Sequence, residues 1–181
     1  KIPVKKHDHV LIPAGTVHCS GADTMVLEIS ATPYIFTFKL WDWGRVDLDG
    51  KPRPIHLEHG AANIQWYRNT EWVHRNLVNA VAEVYTGENG TVVRTGLHER
   101  EFLDTFRFTT SSALPVHRNG SVHMLNLVDG TRAVLRSKSD AFPPLELHYA
   151  ETCIVPQAAG DYEIYSPDGS EVKVILACVR N

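Results

Sequence analysis

The chain has 181 residues, 43% of them hydrophobic and 22% charged, a balance that excludes disordered and collagen-like classes and allows one large core or two modest ones. Its net charge is −3 with acidic and basic residues interspersed, so nothing in the charge pattern draws it to nucleic acid or to an anionic membrane. No apolar run reaches the roughly 18 to 20 residues of a membrane-spanning helix, and no cationic start leads into an apolar stretch. The three cysteines, Cys19, Cys153 and Cys178, are odd in number, far apart and set in apolar runs, which reads as buried free thiols in a reducing cytoplasm. The chain opens on Lys1-Ile2-Pro3-Val4 without methionine and is read as the later part of a longer polypeptide.

In chain order, His9-Val10-Leu11-Ile12 is an apolar strand that runs into Pro13-Ala14-Gly15, a Pro-x-Gly tight turn. The return, Val17-His18, places a histidine three residues after the glycine, and Val26-Leu27-Glu28-Ile29 continues as strand. That geometry aims the His18 imidazole into a barrel interior, where neutral histidine is a common metal ligand. Leu57 to Asn79 breaks the β pattern, with apolar residues at three- and four-residue spacings, and reads as one or two short helices. Asn69 or Thr70 is the expected cap, with Glu71 in the first turn.

Beyond residue 80 the pattern is antiparallel β. Asn89-Gly90, Asn119-Gly120, Asp129-Gly130 and Asp168-Gly169, like Asp49-Gly50 earlier, are tight-turn dipeptides and predict hairpins. Val81 to Tyr85, Thr91 to Thr95, Val122 to Val128, Thr131 to Arg136, Tyr162 to Tyr165 and Glu171 to Val179 are rich in β-branched and aromatic residues. Closing or doubling such a sheet removes exposed edges, so a jelly roll is the expected architecture.

The ordered motifs carry a resemblance. Pro13-Ala14-Gly15-Thr16-Val17-His18, then Val26-Leu27-Glu28-Ile29, Trp41-Asp42-Trp43-Gly44-Arg45-Val46-Asp47 and Gly50-Lys51-Pro52-Arg53-Pro54 look like the signature of the type I phosphomannose isomerase family. Gly96-Leu97-His98-Glu99 and the run from Ala150 to Gly160 resemble the family's C-terminal portion, so the resemblance covers nearly the whole chain. It implies an all-β cupin fold: residues 1–56 as the end of a metal-binding barrel, 57–79 as a helical connector, and 80–181 as a complete second, degenerate barrel. It further implies interconversion of mannose 6-phosphate and fructose 6-phosphate through an enediol at one zinc ion. His18 matches the last zinc ligand, the others belonging to strands before Lys1. Glu28 matches a family glutamate near the site.

Departures bear on function. Ile35 and Lys39 stand where the family carries an aspartate and a catalytic arginine, so the charge at position 39 is kept but the planar fork is lost. Lys39 and Glu28 are therefore the candidate catalytic residues and His18 the candidate metal ligand. The substrate expected is a small sugar or sugar phosphate, with a non-catalytic sugar-binding cupin, or an enzyme of an unphosphorylated sugar, as alternatives. Neither nucleic acid nor membrane is an expected partner; self-association through the second barrel is.

Within Trp41-Asp42-Trp43-Gly44-Arg45, Asp42 is the expected partner of Arg45, while Lys51 and Arg53 read as a solvated loop. His7 and His9 with His18, and His117, His123 and His148 together, are two conceivable further metal sets among the ten histidines. His148 is read as the start of a strand. In the second barrel the turn from Pro156 has Tyr162, not histidine, two positions after Gly160, which reads as a metal-free barrel.

Overall fold

The structure is a computed structural model and describes residues 1–30, 37–96 and 98–180, so Ile35 and Leu97 lie outside the described residues. The chain divides into two compact units, Ile12–Val78 and a β unit formed by Lys1–Leu11 together with Asn79–Asn181.

Among the described residues of the β unit, ten strands follow in order: β1 Ala82–Gly87, β2 Gly90–Arg94, β3 Leu103–Thr110, β4 Ala113–Val116, β5 His123–Asp129, β6 Arg132–Ser137, β7 Leu145–His148, β8 Thr152–Val155, β9 Tyr162–Tyr165 and β10 Val172–Val179. They form a six-stranded sheet, β1-β2-β3-β10-β5-β8, and a four-stranded sheet, β4-β9-β6-β7. All pairs are antiparallel. The inward positions of both sheets supply a single core that includes Phe108, Leu125, Leu127, Val174 and Leu176 from one and Leu114, Leu135, Leu147, Tyr162 and Ile164 from the other. Period-2 alternation produces this: on β9 Tyr162 and Ile164 point in, while Glu163 and Tyr165 point out.

The turn dipeptides work differently from a run of hairpins. Asn89-Gly90 closes a true hairpin between β1 and β2, with Gly87 opposite Gly90. Asp129-Gly130 and Asp168-Gly169 instead join strands of different sheets, β5 to β6 and β9 to β10. Gly130 and Gly169 have φ of 86° and 77°, so the left-handed backbone that a hairpin needs also serves a corner that carries the chain across the core. Asp49-Gly50 tips a small loop in the other unit, where Val46 bridges Pro52.

The N-terminal segment is tied to the β unit. His7 Nε2 lies 2.8 Å from Asp129 Oδ2, Arg107 donates to the His7 carbonyl at 2.8 Å, and the Asn79 amide N–H donates to the His9 carbonyl at 2.8 Å. Lys6 and Lys173 also pair with Asp129. Together, with Lys6 the largest influence, these donors hold the Asp129 carboxyl well below the usual range.

Among its described residues the unit Ile12–Val78 holds two helices, α1 Leu57–Asn63 and α2 Thr70–Asn76. Asn69 caps α2, its side chain accepting from the Trp72 N–H at 3.0 Å, with Glu71 in the first turn and His74 and Arg75 in the last. The strand expected over Val26–Ile29 does not form. Among the described residues from 12 to 56 only the isolated bridge Val46 to Pro52 is present. A strand needs a neighbour to satisfy its amides and carbonyls, and none of the described residues supplies one, leaving Val17, Met25, Val26 and Leu27 exposed.

Candidate functional site

The Pro-x-Gly turn is built as its residues dictate. Thr16 N–H donates to the Pro13 carbonyl at 3.1 Å, and Gly15 has φ 82°. A Cβ at Gly15 would lie 2.6 Å from the Asn63 carbonyl oxygen, so both backbone angle and space require glycine. The Gln65 N–H donates to the Gly15 carbonyl at 2.9 Å, and Arg68 Nη1 donates to the carbonyls of Pro13 and Ala14 at 3.1 and 2.8 Å.

His18 follows this turn, but its ring does not enter a barrel interior. It is exposed, with Nδ1 2.9 Å from the Thr16 carbonyl oxygen. A carbonyl can only accept, so Nδ1 carries a proton, and in a neutral ring the lone pair is on Nε2. That is the tautomer, held by a backbone carbonyl, in which histidine ligates metals.

Lys39 is half-buried and lies in a charged group. Its ammonium is 3.9 Å from Asp42 Oδ1, and Arg53 Nε is 2.9 Å from Asp42 Oδ2. Asp42 is buried, at 6% exposure, so its charge is held by two cations rather than by water. Its Oδ2 makes no aligned hydrogen bond, which leaves the contact with Arg53 an ion pair. The partner of Asp42 is thus Arg53, not Arg45, whose side chain is exposed; only the Arg45 backbone N–H reaches the Asp42 carbonyl, at 2.9 Å. The Lys39 backbone is clamped by His56, which accepts from the Lys39 N–H at 3.2 Å and donates its own N–H to the Lys39 carbonyl at 2.8 Å. The Asp42 and Arg53 pairing was hidden from sequence reading because Arg45 is nearer in the chain.

Glu28 is exposed. Among the described residues there is no group of three or more histidine, cysteine or acidic side chains placed to hold a metal. The donors present among the described residues therefore do not by themselves fit a zinc ion. Three of the histidines in the conceivable metal sets are engaged elsewhere: His7 by Asp129, His117 by Asp161 at 2.8 Å, and His148 by Glu151 at 3.1 Å. His148 closes β7 rather than opening a strand, and Glu151 gains a partner there that sequence did not reveal.

In the β unit, the second position after Gly160 carries Tyr162, fully buried, its hydroxyl 2.9 Å from His123 Nδ1. His123 Nε2 is 3.1 Å from the Asn119 side-chain oxygen, which only accepts; Nε2 therefore bears the proton and Nδ1 accepts from the tyrosine. Burial, aided by the Arg118 charge, lowers the His123 pKa to about 4 and keeps the ring neutral. Unfolded, the ring titrates near 6.5. The folded state therefore resists a proton that the unfolded state accepts, and this contribution to stability is complete above pH 6.5 and lost as pH falls towards 4. Urea unfolding at pH 7.5 and pH 5.0 is expected to differ by about 2 kcal/mol from this group, and His123→Phe flattens that difference.

The thiols offer no nucleophile in the β unit. Burial pushes Cys153 up to about 11 and raises Cys178 as well. Cys19, expected to be buried, is exposed.

No family model matches the chain. It is 38% identical over 58 residues to the mannose-6-phosphate isomerase of Streptococcus mutans, a match covering 32% of this chain and 18% of that protein. It is 36% identical over 65 residues to the mannose-6-phosphate isomerase of Bacillus subtilis, covering 36% of this chain and 20% of that protein. The matches thus span about a fifth of each relative's length. The crystal structure of the Bacillus subtilis mannose 6-phosphate isomerase superposes with a TM-score of 0.53 at 13% identity, covering 76% of this chain and 38% of that one, which is a likeness of fold. Among the described residues no helix is long and apolar enough to cross a membrane. The chain thus resembles mannose-6-phosphate isomerases over about a third of its length and shares an all-β fold with the Bacillus subtilis enzyme.

Proposed function

We propose that this chain is the later part of a sugar-phosphate aldose–ketose isomerase that converts mannose 6-phosphate to fructose 6-phosphate through an enediol. The observation that carries the proposal is the 36 to 38% identity to two mannose-6-phosphate isomerases. In this reading the proton on C2 moves to C1 while the hydroxyl proton on O2 passes to O1, so no oxidant or reductant is consumed. Lys39, half-buried and anchored beside Asp42, supplies positive charge for the enediolate. Glu28 is the carboxylate proposed to serve the proton transfers. The cofactor is a zinc ion with His18 as one ligand, which, when bound, polarises the sugar oxygens.

The test uses the complete gene product that carries this chain. Mannose 6-phosphate is expected to be converted to fructose 6-phosphate, and Lys39→Ala to lower kcat/KM by about 100-fold. Metal bound without turnover rejects the isomerase. A second reading, a sugar-binding cupin without catalysis, is favoured by the lysine at position 39 where the family carries arginine. It expects mannose or its phosphate to raise the melting temperature while no product forms.

A further inference from the structure

Within the unit Ile12–Val78, the segment around Lys39 is docked on the entrance to α1. Two hydrogen bonds to one residue fix Lys39 itself: its N–H donates to His56 Nδ1 at 3.2 Å, and its carbonyl accepts from the His56 N–H at 2.8 Å. Because Nδ1 accepts, a neutral His56 carries its proton on Nε2. The neighbours on either side are held by the same stretch of chain. The Phe38 ring is stacked with that of His59, centroids 5.9 Å apart, and lies edge-on to that of His56 at 6.1 Å. Leu40 packs on the buried Gly60, where a Cβ would fall 2.4 Å from Leu40 Cδ2. Beyond the clamp, the Lys39 side chain reaches Asp42, a carboxylate it shares with Arg53.

A lysine brings charge without the planar fork of arginine, and it loses more freedom for each hydrogen bond it forms. Its aim must then come from what holds its backbone and its stem. We propose that His56 is a positioning residue for Lys39: it fixes the backbone from both sides, so that the stem projects from one place and the ammonium stays beside Asp42. One carboxylate between two cations leaves Lys39, Asp42 and Arg53 with a surplus positive charge, the sign that developing charge on a sugar oxygen calls for. Placement matters, because a shift of about 1 Å in a reacting group can cost on the order of 100-fold in rate. What Lys39 does rests on the isomerase reading; what His56 does to Lys39 rests on the two hydrogen bonds alone.

The test takes the complete gene product with His56→Leu, which removes the imidazole acceptor, and His56→Asn, whose side-chain oxygen can accept from the Lys39 N–H in its place. His56→Leu is expected to lower kcat about tenfold or more with KM within about threefold of native, and His56→Asn to restore most of the loss. A second measurement needs no turnover. The rate at which acetic anhydride acetylates Lys39, read by mass spectrometry against the exposed Lys51 of the same molecule, is expected to rise about threefold or more in His56→Leu and to return in His56→Asn. Amide exchange at Val73 and Leu77, whose N–H groups bond to the Asn69 and Val73 carbonyls, is expected to stay native and shows that α2 is still folded. If exchange shows His56→Leu unfolded, His56→Gln takes its place, since its amide sits one methylene further out, and the same rise is expected. Absence of turnover in the native protein rejects the isomerase reading and leaves Lys39 reactivity to decide on His56. Unchanged reactivity or full turnover in a folded variant without the acceptor, or no recovery in His56→Asn, overturns the proposal.

Discussion

Replacing Tyr162 by alanine is expected to cost the β unit about 4 kcal/mol, measured as a fall in the urea unfolding midpoint at pH 7.5. Tyr162 is fully buried and is the largest such side chain among the described residues, on a strand paired on both sides, with Val116 of β4 and Ser137 of β6. Removing the ring leaves a cavity that neighbours on two ladders cannot close by moving. The same change strips His123 Nδ1 of its donor, adding an unsatisfied buried acceptor. Tyr162→Phe separates the two effects: the ring stays, only the hydrogen bond is lost, and the cost falls to about 1 to 2 kcal/mol. Equal costs for the two variants would show that the ring does not fill the core.

Gly90→Ala is expected to destabilise by about 3 kcal/mol or more. Its φ is 133°, and a Cβ there would lie 2.1 Å from the Thr109 carbonyl oxygen, a backbone atom on β3 that cannot step aside without opening the ladder. The next residue tightens the corner further, since the buried Thr110 hydroxyl donates to the Asn89 carbonyl at 2.6 Å. Gly169→Ala is the control. Its φ is 77° but nothing lies within 4 Å, so only the backbone conformation is strained and about 1 kcal/mol is expected. Comparing the two by thermal unfolding isolates the steric share.

The strands flanked by Gly turns were legible because turn chemistry and alternation mark them locally, as on β9 and β10. Others lacked that punctuation. β4 contains Pro115, which argues against a central strand, and β4 indeed lies at a sheet edge, where a missing N–H is tolerated. β7 follows Pro143-Pro144 and is also an edge. β3 alternates Phe106 and Phe108 with polar residues yet has no turn dipeptide at either end. Which turns make hairpins and which make corners was not legible, since the same Asp-Gly geometry serves both and only the distant pairing of β5 with β10 and β6 with β9 decides. At the candidate site, the turn before His18 was legible from Pro13 and Gly15. The ring's exposed position was not, because it depends on whether a neighbouring strand is there to pair with the return segment. The pairing of Asp42 with Arg53 likewise depends on a reversal of the chain through Asp49-Gly50 that local reading does not weigh.

The role of His18 is tested most directly by the zinc content of the complete gene product, purified with and without His18→Ala and measured by elemental analysis. The expected result is one zinc per chain in the native protein and a loss of most of it in the variant, because the proposed function takes His18 Nε2 as one of the zinc ligands. Full zinc occupancy retained in His18→Ala would contradict the assignment.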